Sequence, residues 1–562
     1  MVNNIGEREM NVRLRTFAAG AVGMVVVFGI VELVHGLYQL VPSVLTAVSQ
    51  RIIELTPGDL ATAGIAAVGK AASPILISVV VVLTLLFAGF LANLSLRSRL
   101  GALAGVILLA AVALVAAFSE PFIDPIATIL TVLGSLVAGT GVAAFLLRAS
   151  GLRAGREAAP EEVGDAEGSE QQPSPQPFRG RYQEAHSRDG VAVGRGAFLL
   201  LGGGAAVAGL AAGGVGRVLS SEEGSSVAGP GSNPLQPSQR GGASTAVSEP
   251  ETLPEPPAEA ALDVPRMPPL FTPNEDFYLI DTAISSPRIN RDSWTLSIQG
   301  TDNPIELSYD DLLGLPNREA DITLSCISNE VGGGLISNAR WTGVLLSDVL
   351  NEAGMSPDKI TSATEQLVGR SADNWEAGFP TDLAFDGREA LVAFGMNGEE
   401  LPLKHGYPVR LVVPGLYGYV SATKWLTAIE FRDWGYDVYW IKRGWSKEGP
   451  IKTQSRIDTV SNADRLSAGT VQIGGVAWAP TRGIERVELS TDDGETWNDA
   501  TLAAQLDADV WRQYVYNWDA QPGEYTLKVR ATDGEGETQT EEEAAPIPSG
   551  ATGYHTIEVT VA

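Results

Sequence analysis

The sequence of 562 residues predicts three structural classes in succession: an α-helical transmembrane bundle, an α+β domain and an all-β sandwich. Long uncharged apolar runs fill the first 150 residues, short alternating segments begin near Phe271, and almost purely β-type segments follow Ile451. Residues 1–219 hold 15 basic and 15 acidic residues, so residues 220–562 carry the whole net charge of −28. This acidic half argues against nucleic acid as a partner, because a phosphate backbone requires a basic surface.

Four apolar runs predict a four-helix transmembrane anchor over residues 1–150. Each run can cross the hydrocarbon core of a bilayer, and four such runs in 150 residues are not typical of a soluble protein. The runs are residues 16–40, 72–95, 100–118 and 125–147. Glu32 and His35 lie in the last third of the first run. They are either functional intramembrane groups or interfacial residues at the outer end of the span.

The distribution of arginines predicts the orientation of this anchor. Arginines precede the first span, separate the second from the third and follow the fourth. The connection between the third and fourth spans carries two acidic residues and no basic one. Because cytoplasmic loops are enriched in basic residues, we expect both ends of the bundle in the cytoplasm of a multi-pass cell-membrane protein.

Three segments connect the anchor to the acidic half. Residues 151–193 are polar and rich in Glu, Gln, Pro and Gly, which predicts a disordered cytoplasmic linker. Residues 194–216 are a Gly/Ala-rich apolar run after a single arginine, either a fifth transmembrane helix or a signal similar to a twin-arginine export signal with one arginine missing. Residues 217–265 predict a flexible stalk. Under either interpretation the domains that follow are extracytoplasmic.

Two domains are predicted in the acidic half. Residues 266–450 predict the α+β domain, with strand-like and helical segments at Trp294–Ile298, Ser308–Leu313, Ile322–Cys326, Ser347–Ala353 and Tyr407–Val413. Alternation places Ile322, Leu324 and Cys326 on one face of their strand. Residues 451–562 predict an immunoglobulin-like sandwich of about seven short strands. Its clearest segments are Val471–Val476, Ile484–Ser490, Trp511–Trp518, Tyr525–Ala531 and Tyr554–Val561.

Cys326 is the single cysteine of the chain, which excludes a disulfide within the chain and a cysteine-rich metal site. It ends a predicted strand and precedes three glycines, Gly332 to Gly334, which let the backbone approach another group closely. A thiolate is also a ligand for soft or high-valent metals. Two interpretations stay open, a small buried hydrophobic residue and a metal ligand.

A second cluster consists of His405, Arg410 and Lys424 around Gly- and Pro-containing turns. Arginine can bind a phosphate through two N–H groups, lysine adds a point charge, and backbone N–H groups complete an anion site. The alternative is a solvated basic loop. In so acidic a domain, this concentration of basic groups favours a bound anion.

At these residues the sequence resembles the sulfite oxidase family of molybdopterin-dependent oxidoreductases. The resemblance covers about residues 270–562 and rests on many segments in the same order. They are Phe277–Thr282, the Cys326 segment, Asn338–Val344, Met396–Gly398, His405–Arg410, Lys424-Trp425, Ile451–Thr459, Gly474–Trp478, Gly483–Trp497 and Gly550–Ile557.

The resemblance implies a molybdenum–molybdopterin cofactor with Cys326 as the protein thiolate on the metal. It implies cofactor contacts from Tyr278, Asp281, Thr282, Asp373, His405, Arg410, Ser421, Thr423 and Lys424. The family's active-site tyrosine aligns near Lys442 or Arg443, which makes these two residues catalytic candidates beside Cys326. The last domain is expected to form a homodimer.

The sequence departs from the family where a substrate would bind. Sulfite oxidases typically carry Cys-Ala-Gly-Asn-Arg-Arg at the metal cysteine, whereas residues 326–331 are Cys-Ile-Ser-Asn-Glu-Val. A sulfite dianion needs an electropositive pocket, which Lys442, Arg443 or Arg340 would have to supply. Three functions stay open: oxygen-atom transfer on a small or peptide-bound sulfur-oxo substrate, sulfite oxidation, and a non-catalytic binding module. Electrons are expected to pass to a separate cytochrome or, through the anchor, to quinone.

Overall fold

The computed structural model describes residues 2–38, 40–56, 72–120, 123–149, 195–222 and 250–562. The chain divides into two compact units, one with residues 1–52 and 71–223 and the other with residues 53–70 and 224–562. The predicted linker over residues 151–193 and most of the predicted stalk, residues 223–249, lie outside the described residues.

The N-terminal part of the chain is helical. Its helices are α1 (Val2–Leu37), α2 (Val44–Leu55), α3 (Ala72–Ser95), α4 (Arg99–Phe118), α5 (Pro125–Ala149) and α6 (Arg195–Glu222). In the described part of the chain, four helical stretches are long and apolar enough to cross a membrane: Met10–Leu37, Pro74–Ser95, Arg99–Phe118 and Pro125–Arg148. They agree with the four predicted spans, and the largest difference is the earlier start of the first.

Helix α1 is the helix on which α3, α5 and α6 pack. It shares an apolar cluster with α3 and α5 that consists of Met24, Val27, Val31, Ala88, Val132 and Leu136. Glycines bring the backbones together, because a Cβ at Gly20 would overlap the carbonyl of Ala88 and one at Gly23 that of Gly139. Small residues at such contacts are typical of membrane helices.

The two ionisable residues of the first span have defined partners. The Ser43 hydroxyl donates to one Glu32 oxygen at 2.5 Å, and Arg217 of α6 lies 3.5 Å from the other. The Nδ1 atom of His35 lies 2.8 Å from the carbonyl oxygen of Val41, so this nitrogen carries a proton. Glu32 is therefore a buried contact between helices.

The second unit contains a β-rich domain of two five-stranded sheets. Its strands are β1 (Thr295–Gln299), β2 (Ile305–Ser308), β3 (Asn317–Ser325), β4 (Ile336–Leu345), β5 (Gln366–Ser371), β6 (Glu376–Pro380), β7 (Leu391–Met396), β8 (Glu399–Glu400), β9 (Arg410–Val412) and β10 (Leu426–Arg432). One sheet has the order β2-β1-β10-β5-β6, and the other has β3-β4-β7-β8 with β9 also paired to β7. The larger core includes Trp294, Phe379 and Leu411.

The helices of this domain are short, so it is more strongly β than an α+β prediction implies. They are α7 (Tyr309–Gly314), α8 (Leu346–Glu352) and α9 (Gly418–Ser421). Ser308 begins α7 with a capping box: its hydroxyl accepts from the Asp311 N–H, and the Asp311 carboxylate accepts from the Ser308 N–H. The predicted strand Tyr407–Val413 shrinks to β9.

The C-terminal part consists of two further sheets. Its strands are β11 (Gln454–Ile457), β12 (Arg465–Leu466), β13 (Gly469–Trp478), β14 (Ile484–Ser490), β15 (Asn498–Asp499), β16 (Thr501–Leu502), β17 (Arg512–Ala520), β18 (Gly523–Asp533) and β19 (His555–Val561). The sheet orders are β11-β13-β17-β16 and β12-β19-β18-β14-β15. One apolar cluster, with Ile473, Val487 and Leu527, joins residues of both sheets. The immunoglobulin-like topology stays a prediction.

Residues 250–265 differ from the flexible stalk that the sequence predicted. Glu251 pairs with the start of β3, since its N–H donates to the Asn317 carbonyl and its carbonyl accepts from the Glu319 N–H. The Leu262 N–H donates to the Gln513 side chain at 2.6 Å. Backbone groups of this Pro- and Glu-rich segment thus find partners on both β domains, which composition alone does not reveal.

The alternation predicted that Cys326 shares a face with Ile322 and Leu324, and this prediction is wrong. Those two residues pack in a cluster with Trp341, whereas Cys326 belongs to the larger core of the domain. The reason is that β3 ends at Ser325, so the pleat no longer sets the direction of the next side chain.

Candidate molybdopterin site

Cys326 begins a tight loop at the end of β3. Its N–H donates to the Leu335 carbonyl at 2.9 Å, and its carbonyl accepts from the Asn329 N–H at 3.0 Å. The Asn329 side chain accepts from the Leu335 N–H at 2.7 Å, which closes the base of the loop. The sulfur accepts a weak hydrogen bond from the Ser328 N–H at 3.4 Å and is buried.

The surroundings of Cys326 favour the neutral thiol. Burial raises the pKa of the thiol, and the Ser328 N–H and the Lys424 charge only partly oppose this effect. A thiolate at this position therefore needs a further positive charge beside the sulfur, and a bound metal ion supplies one.

Arg410 is a buried cation without a paired carboxylate. Its side chain is 3% exposed, and its guanidinium donates to the carbonyls of His405 at 3.0 Å and Leu411 at 3.3 Å. Within the described residues, no carboxylate oxygen comes within 4.0 Å of it. Burial lowers its pKa to about 10. A buried guanidinium in this state is a site for an anion that the protein itself does not provide.

His405 is fully buried and has one free nitrogen. Its Nε2 donates to the Asn274 carbonyl at 2.9 Å, while Nδ1 has no hydrogen-bond partner among the described residues. Burial and the charges of Lys424 and Arg410 lower its pKa to about 3, so the ring is neutral. A buried polar atom without a partner points to a ligand group beside it.

Lys424 links the first predicted cofactor segment to this cluster. Its ammonium donates to the Asp281 carboxylate at 2.6 Å and to the Lys404 carbonyl at 3.1 Å. Burial lowers the pKa of Lys424, and the Asp281 charge opposes that shift. The lysine is thus held with one partner charge and faces the same region as Arg410.

Tyr278 lies near Cys326, Arg410 and Asp281. Burial, together with the charges of Cys326 and Asp281, raises the pKa of its hydroxyl, while Arg410 opposes the shift. A Cβ built on Gly418 would lie 3.8 Å from this hydroxyl and 3.9 Å from the Ser325 carbonyl. The structure therefore gathers six of the predicted residues around the end of β3 and the start of β9: Tyr278, Asp281, Cys326, His405, Arg410 and Lys424.

Two family models match the sequence of this domain and of the C-terminal part. The family model "Oxidoreductase molybdopterin binding domain" matches residues 283–440, and "Mo-co oxidoreductase dimerisation domain" matches residues 449–560. The chain is 28% identical over 310 residues to "Sulfite oxidase, mitochondrial" of Drosophila melanogaster, covering 47% of this chain and 53% of that protein. It is 30% identical over 157 residues to "Uncharacterized oxidoreductase YuiH" of Bacillus subtilis (strain 168), covering 28% of this chain and 74% of that one.

The chain belongs to the sulfite oxidase family. It spans about half the length of the curated sulfite oxidases that it matches. Among solved structures, the sulfane dehydrogenase SoxCD from Paracoccus pantotrophus aligns with a TM-score of 0.46 and 25% identity, covering 54% of this chain and 83% of that chain.

The other predicted cofactor contacts flank the group. The Ser421 hydroxyl donates to the Tyr417 carbonyl at 3.1 Å, and the Thr423 hydroxyl donates to the Gly369 carbonyl at 3.4 Å. Thr282 is half-buried beside Asp281. Burial raises the pKa of Asp373, and its carboxylate accepts from the Trp375 N–H at 3.2 Å.

The cationic substrate candidates contact other groups. Lys442 is 55% exposed and lies 4.0 Å from Glu376, while the Arg443 guanidinium lies 3.7 Å from the centre of the Tyr439 ring. Arg340 donates to both oxygens of Asp321, at 2.8 and 2.9 Å. The contacts described here join none of the three to Cys326, and the catalytic role of Lys442 and Arg443 stays a prediction.

Sequence reasoning did not assign a role to three residues near the Cys326 loop. The Cys326 charge is one cause, after burial, that raises the pKa of Tyr417 to about 12. Arg456 and His555 contact the loop from the C-terminal strands. The Gly-Leu-Tyr-Gly turn was a signal for Tyr417, and Arg456 and His555 lie in segments that carry the family resemblance. No local pattern shows that these two residues contact a loop at least 120 positions earlier in the chain.

His405 is expected to make the cofactor-free chain less stable as the pH falls. Its folded pKa of about 3 lies below the ordinary histidine value of ~6.5, so between these values only the unfolded chain binds the proton. The contribution of the neutral His405 ring to the free energy of unfolding is fully present above about pH 6.5 and is lost as the pH falls toward about 3.

Thermal unfolding of the purified chain, followed by tryptophan fluorescence, checks this expectation, because all 11 tryptophans lie between Trp294 and Trp518. His405→Gln, which keeps an N–H donor for the Asn274 carbonyl, should show a shallower decline below pH ~6.5. Equal declines in both proteins would contradict the expectation.

Proposed function

We propose that this chain is a membrane-anchored molybdenum–molybdopterin oxidoreductase that performs oxygen-atom transfer on a small or peptide-bound sulfur-oxo substrate at the outer face of the membrane. The observation that carries the proposal is the buried Arg410 guanidinium without a carboxylate, beside the free Nδ1 of His405. Family membership supports the choice of a pterin phosphate as the missing anion.

The residues of the site fit the family's cofactor. Arg410, His405 and Lys424 would hold the phosphate, since an anion there pairs with the buried guanidinium and favours protonation of Nδ1. Cys326 would bind the metal, and the remaining predicted contacts would line the pterin: Tyr278, Asp281, Thr282, Asp373, Ser421 and Thr423. When bound, the cofactor supplies two-electron oxygen-atom transfer. The protein orients it and keeps water from the buried face.

The charge of the cavity that Glu330 and Val331 of the Cys326 loop line favours a neutral substrate over a sulfite dianion. A cavity of about 540 Å³ is lined by Glu330, Val331 and residues of the 543–556 segment, and its charged lining residues are Glu330 and Glu543. Two carboxylates repel a dianion. Arg340 and Lys442 contact carboxylates of their own. Sulfite oxidation is the second candidate, because the curated relatives are sulfite oxidases.

A substrate screen on the purified chain tests the proposal. The chain is expressed in a host that makes molybdopterin, its metal is measured, and sulfite, S-oxides and N-oxides are added with molybdenum EPR as the readout. Turnover of S-oxides supports the proposal, and turnover of sulfite alone supports the second candidate. Absence of molybdenum from the purified chain would favour a non-catalytic binding module instead.

We also propose that α6 is a retained fifth membrane helix and not a cleaved signal. A Cβ at Gly29 of α1 would overlap Gly209, and one at Gly36 would overlap Gly216, so the two helices interlock at two levels seven residues apart. The ion pair between Glu32 and Arg217 lies beside these contacts. A helix that fits α1 so closely has a partner inside the bundle.

The domain division follows from this proposal. Residues 1–150 form the anchor, 151–193 the cytoplasmic linker, 194–216 the core of the retained helix, 217–265 the connection, 266–450 the cofactor domain and 451–562 the dimerisation domain. The homodimer is supported by the matched dimerisation model. An electron partner, either a cytochrome or quinone at the anchor, completes the reaction.

Retention of α6 predicts one polypeptide in the membrane fraction that carries tags placed at both ends of the chain. Arg217→Glu should weaken the association of α6 with α1, and the double variant Glu32→Arg/Arg217→Glu should restore it, because the ion pair is re-formed with reversed charges. Association of α6 with α1 is measured as the resistance of residues 195–222 to protease. A soluble fragment that carries only the C-terminal tag would contradict retention.

A further inference from the structure

The sequence of the loop from Cys326 to Leu335 does not by itself fix one backbone conformation. It contains three consecutive glycines, and Gly332 adopts a φ of +74°. Each glycine loses more conformational freedom on folding than another residue would. The hydrogen bonds of Asn329 close the base of the loop, but the structure describes one hydrogen bond from the glycine segment to the rest of the loop, from the Gly333 N–H to the Glu330 carbonyl.

Arg456 of β11 holds the glycine segment from outside. Its Nη1 donates to the Gly333 carbonyl at 2.7 Å, and its Nε donates to the Asp458 carboxylate at 2.6 Å. The Arg456 carbonyl in turn accepts from the Tyr514 hydroxyl at 2.9 Å. The guanidinium is 11% exposed, so its planar fork is fixed between the carboxylate and the loop.

His555 of β19 holds the neighbouring residue. Its Nδ1 accepts from the Ile457 N–H at 3.0 Å, which fixes the ring plane and leaves the proton on Nε2. The ring lies against Gly332 so closely that a Cβ there would overlap it. Because β11 and β19 belong to different sheets, both layers of the C-terminal domain meet at this loop.

We infer that Arg456 and His555 are positioning residues for the Cys326 loop, so that the C-terminal domain sets the geometry of the metal-binding cysteine in addition to forming a dimer. The inference rests on the proposed role of Cys326 as the metal ligand. The Arg456 and His555 side chains hold Gly333 and Gly332 in place. Because hydrogen bonds close the base of the loop, Cys326 is then held in place as well. Opening of the loop, which exposes the buried sulfur, is then limited by contacts from another domain.

Thiol labelling of the cofactor-free full-length chain tests this inference. Cys326 is the only cysteine, so the rate of modification by a thiol reagent reports this loop alone. Arg456→Met should raise the labelling rate about tenfold or more, because a charge-assisted hydrogen bond no longer opposes opening. Arg456→Lys should restore part of the protection.

The matched control is Arg482→Met in the same domain. Arg482 donates to Asp533 at 2.9 Å and to the Ile451 carbonyl at 3.1 Å, and it makes no described contact with the loop. Its variant should lose thermal stability without a selective rise in labelling. Unchanged labelling in Arg456→Met, or an equal rise in Arg482→Met, would overturn the inference. If Arg456→Met does not fold, His555→Ala, which removes the ring that lies against Gly332, is measured in its place with the same expected rise.

A second readout separates this inference from the proposed function. In molybdenum-loaded protein, the EPR g values should shift in Arg456→Met and not in Arg482→Met, because only the former changes the geometry of the cysteine ligand. If the wild-type chain takes up no molybdenum, the proposed function fails, while the labelling rates still decide whether Arg456 restrains the loop.

Discussion

Cys326→Ser is expected to lower substrate turnover at least ~1,000-fold, about 4 kcal/mol of activation free energy. A serine hydroxyl is a harder ligand than a thiolate and does not ionise in a buried site near neutral pH. The phosphate contacts at Arg410, His405 and Lys424 are untouched, so the variant should keep its pterin and its thermal stability. Steady-state turnover per bound pterin measures the effect.

Ser325→Ala is the control for this substitution. Its hydroxyl is buried next to Cys326 but bonds only weakly, at 3.4 Å, to the Cys326 carbonyl. It should therefore keep both molybdenum and turnover. Wild-type turnover in Cys326→Ser with a full complement of molybdenum would contradict the assignment of Cys326 as the metal ligand.

Arg410→Met is expected to act in opposite directions on cofactor binding and on stability. It removes a buried charge that has no carboxylate partner, so the cofactor-free chain should gain unfolding free energy, because the desolvation cost of the guanidinium outweighs its two hydrogen bonds to the His405 and Leu411 carbonyls. The same change removes the group that pairs with the pterin phosphate, so the loaded chain should lose most of its pterin during purification. Thermal unfolding and pterin content measure the two effects.

Arg340→Met is the matched control, because Arg340 is paired with a carboxylate and Arg410 is not. Its partner Asp321 is buried, and losing the pair leaves that carboxylate without its cation. The control should lose about 3–5 kcal/mol of stability and keep its pterin. If Arg410→Met destabilises the cofactor-free chain as Arg340→Met does, the phosphate site has been placed wrongly.

Much of the fold is predictable because its causes are local. The four long apolar helices follow from uncharged runs whose length matches a bilayer, and the largest difference is at the start of the first helix, where charges lie near the helix end. The predicted strand Ile484–Ser490 is β14 residue for residue, since polar turns bound it on both sides. Ser308 begins α7 as a cap whose two hydrogen bonds lie within four residues.

The candidate site is predictable only in part. Cys326, His405, Arg410 and Lys424 were found because each lies in a motif that resembles the family's or beside turns with unusual charge. Their state was not predictable: the free Nδ1 of His405 and the missing carboxylate at Arg410 depend on what packs around them from distant strands. The prediction of a flexible stalk is wrong for residues 250–265 for the same reason, because the partners of this segment lie on β3 and β17.

The sequence by itself determined the order of the structural classes, the four apolar spans, the family and the residues that carry its motifs, since these depend on composition and short-range pattern. Only the tertiary structure decided that Cys326 leaves the face of Ile322 and Leu324, and that Arg456 and His555 hold its loop. The direction of the Cys326 side chain depends on where β3 ends. The contacts of Arg456 and His555 depend on two sheets that meet a loop at least 120 residues earlier in the chain. Such contacts arise from packing in three dimensions, for which a linear pattern has no signal.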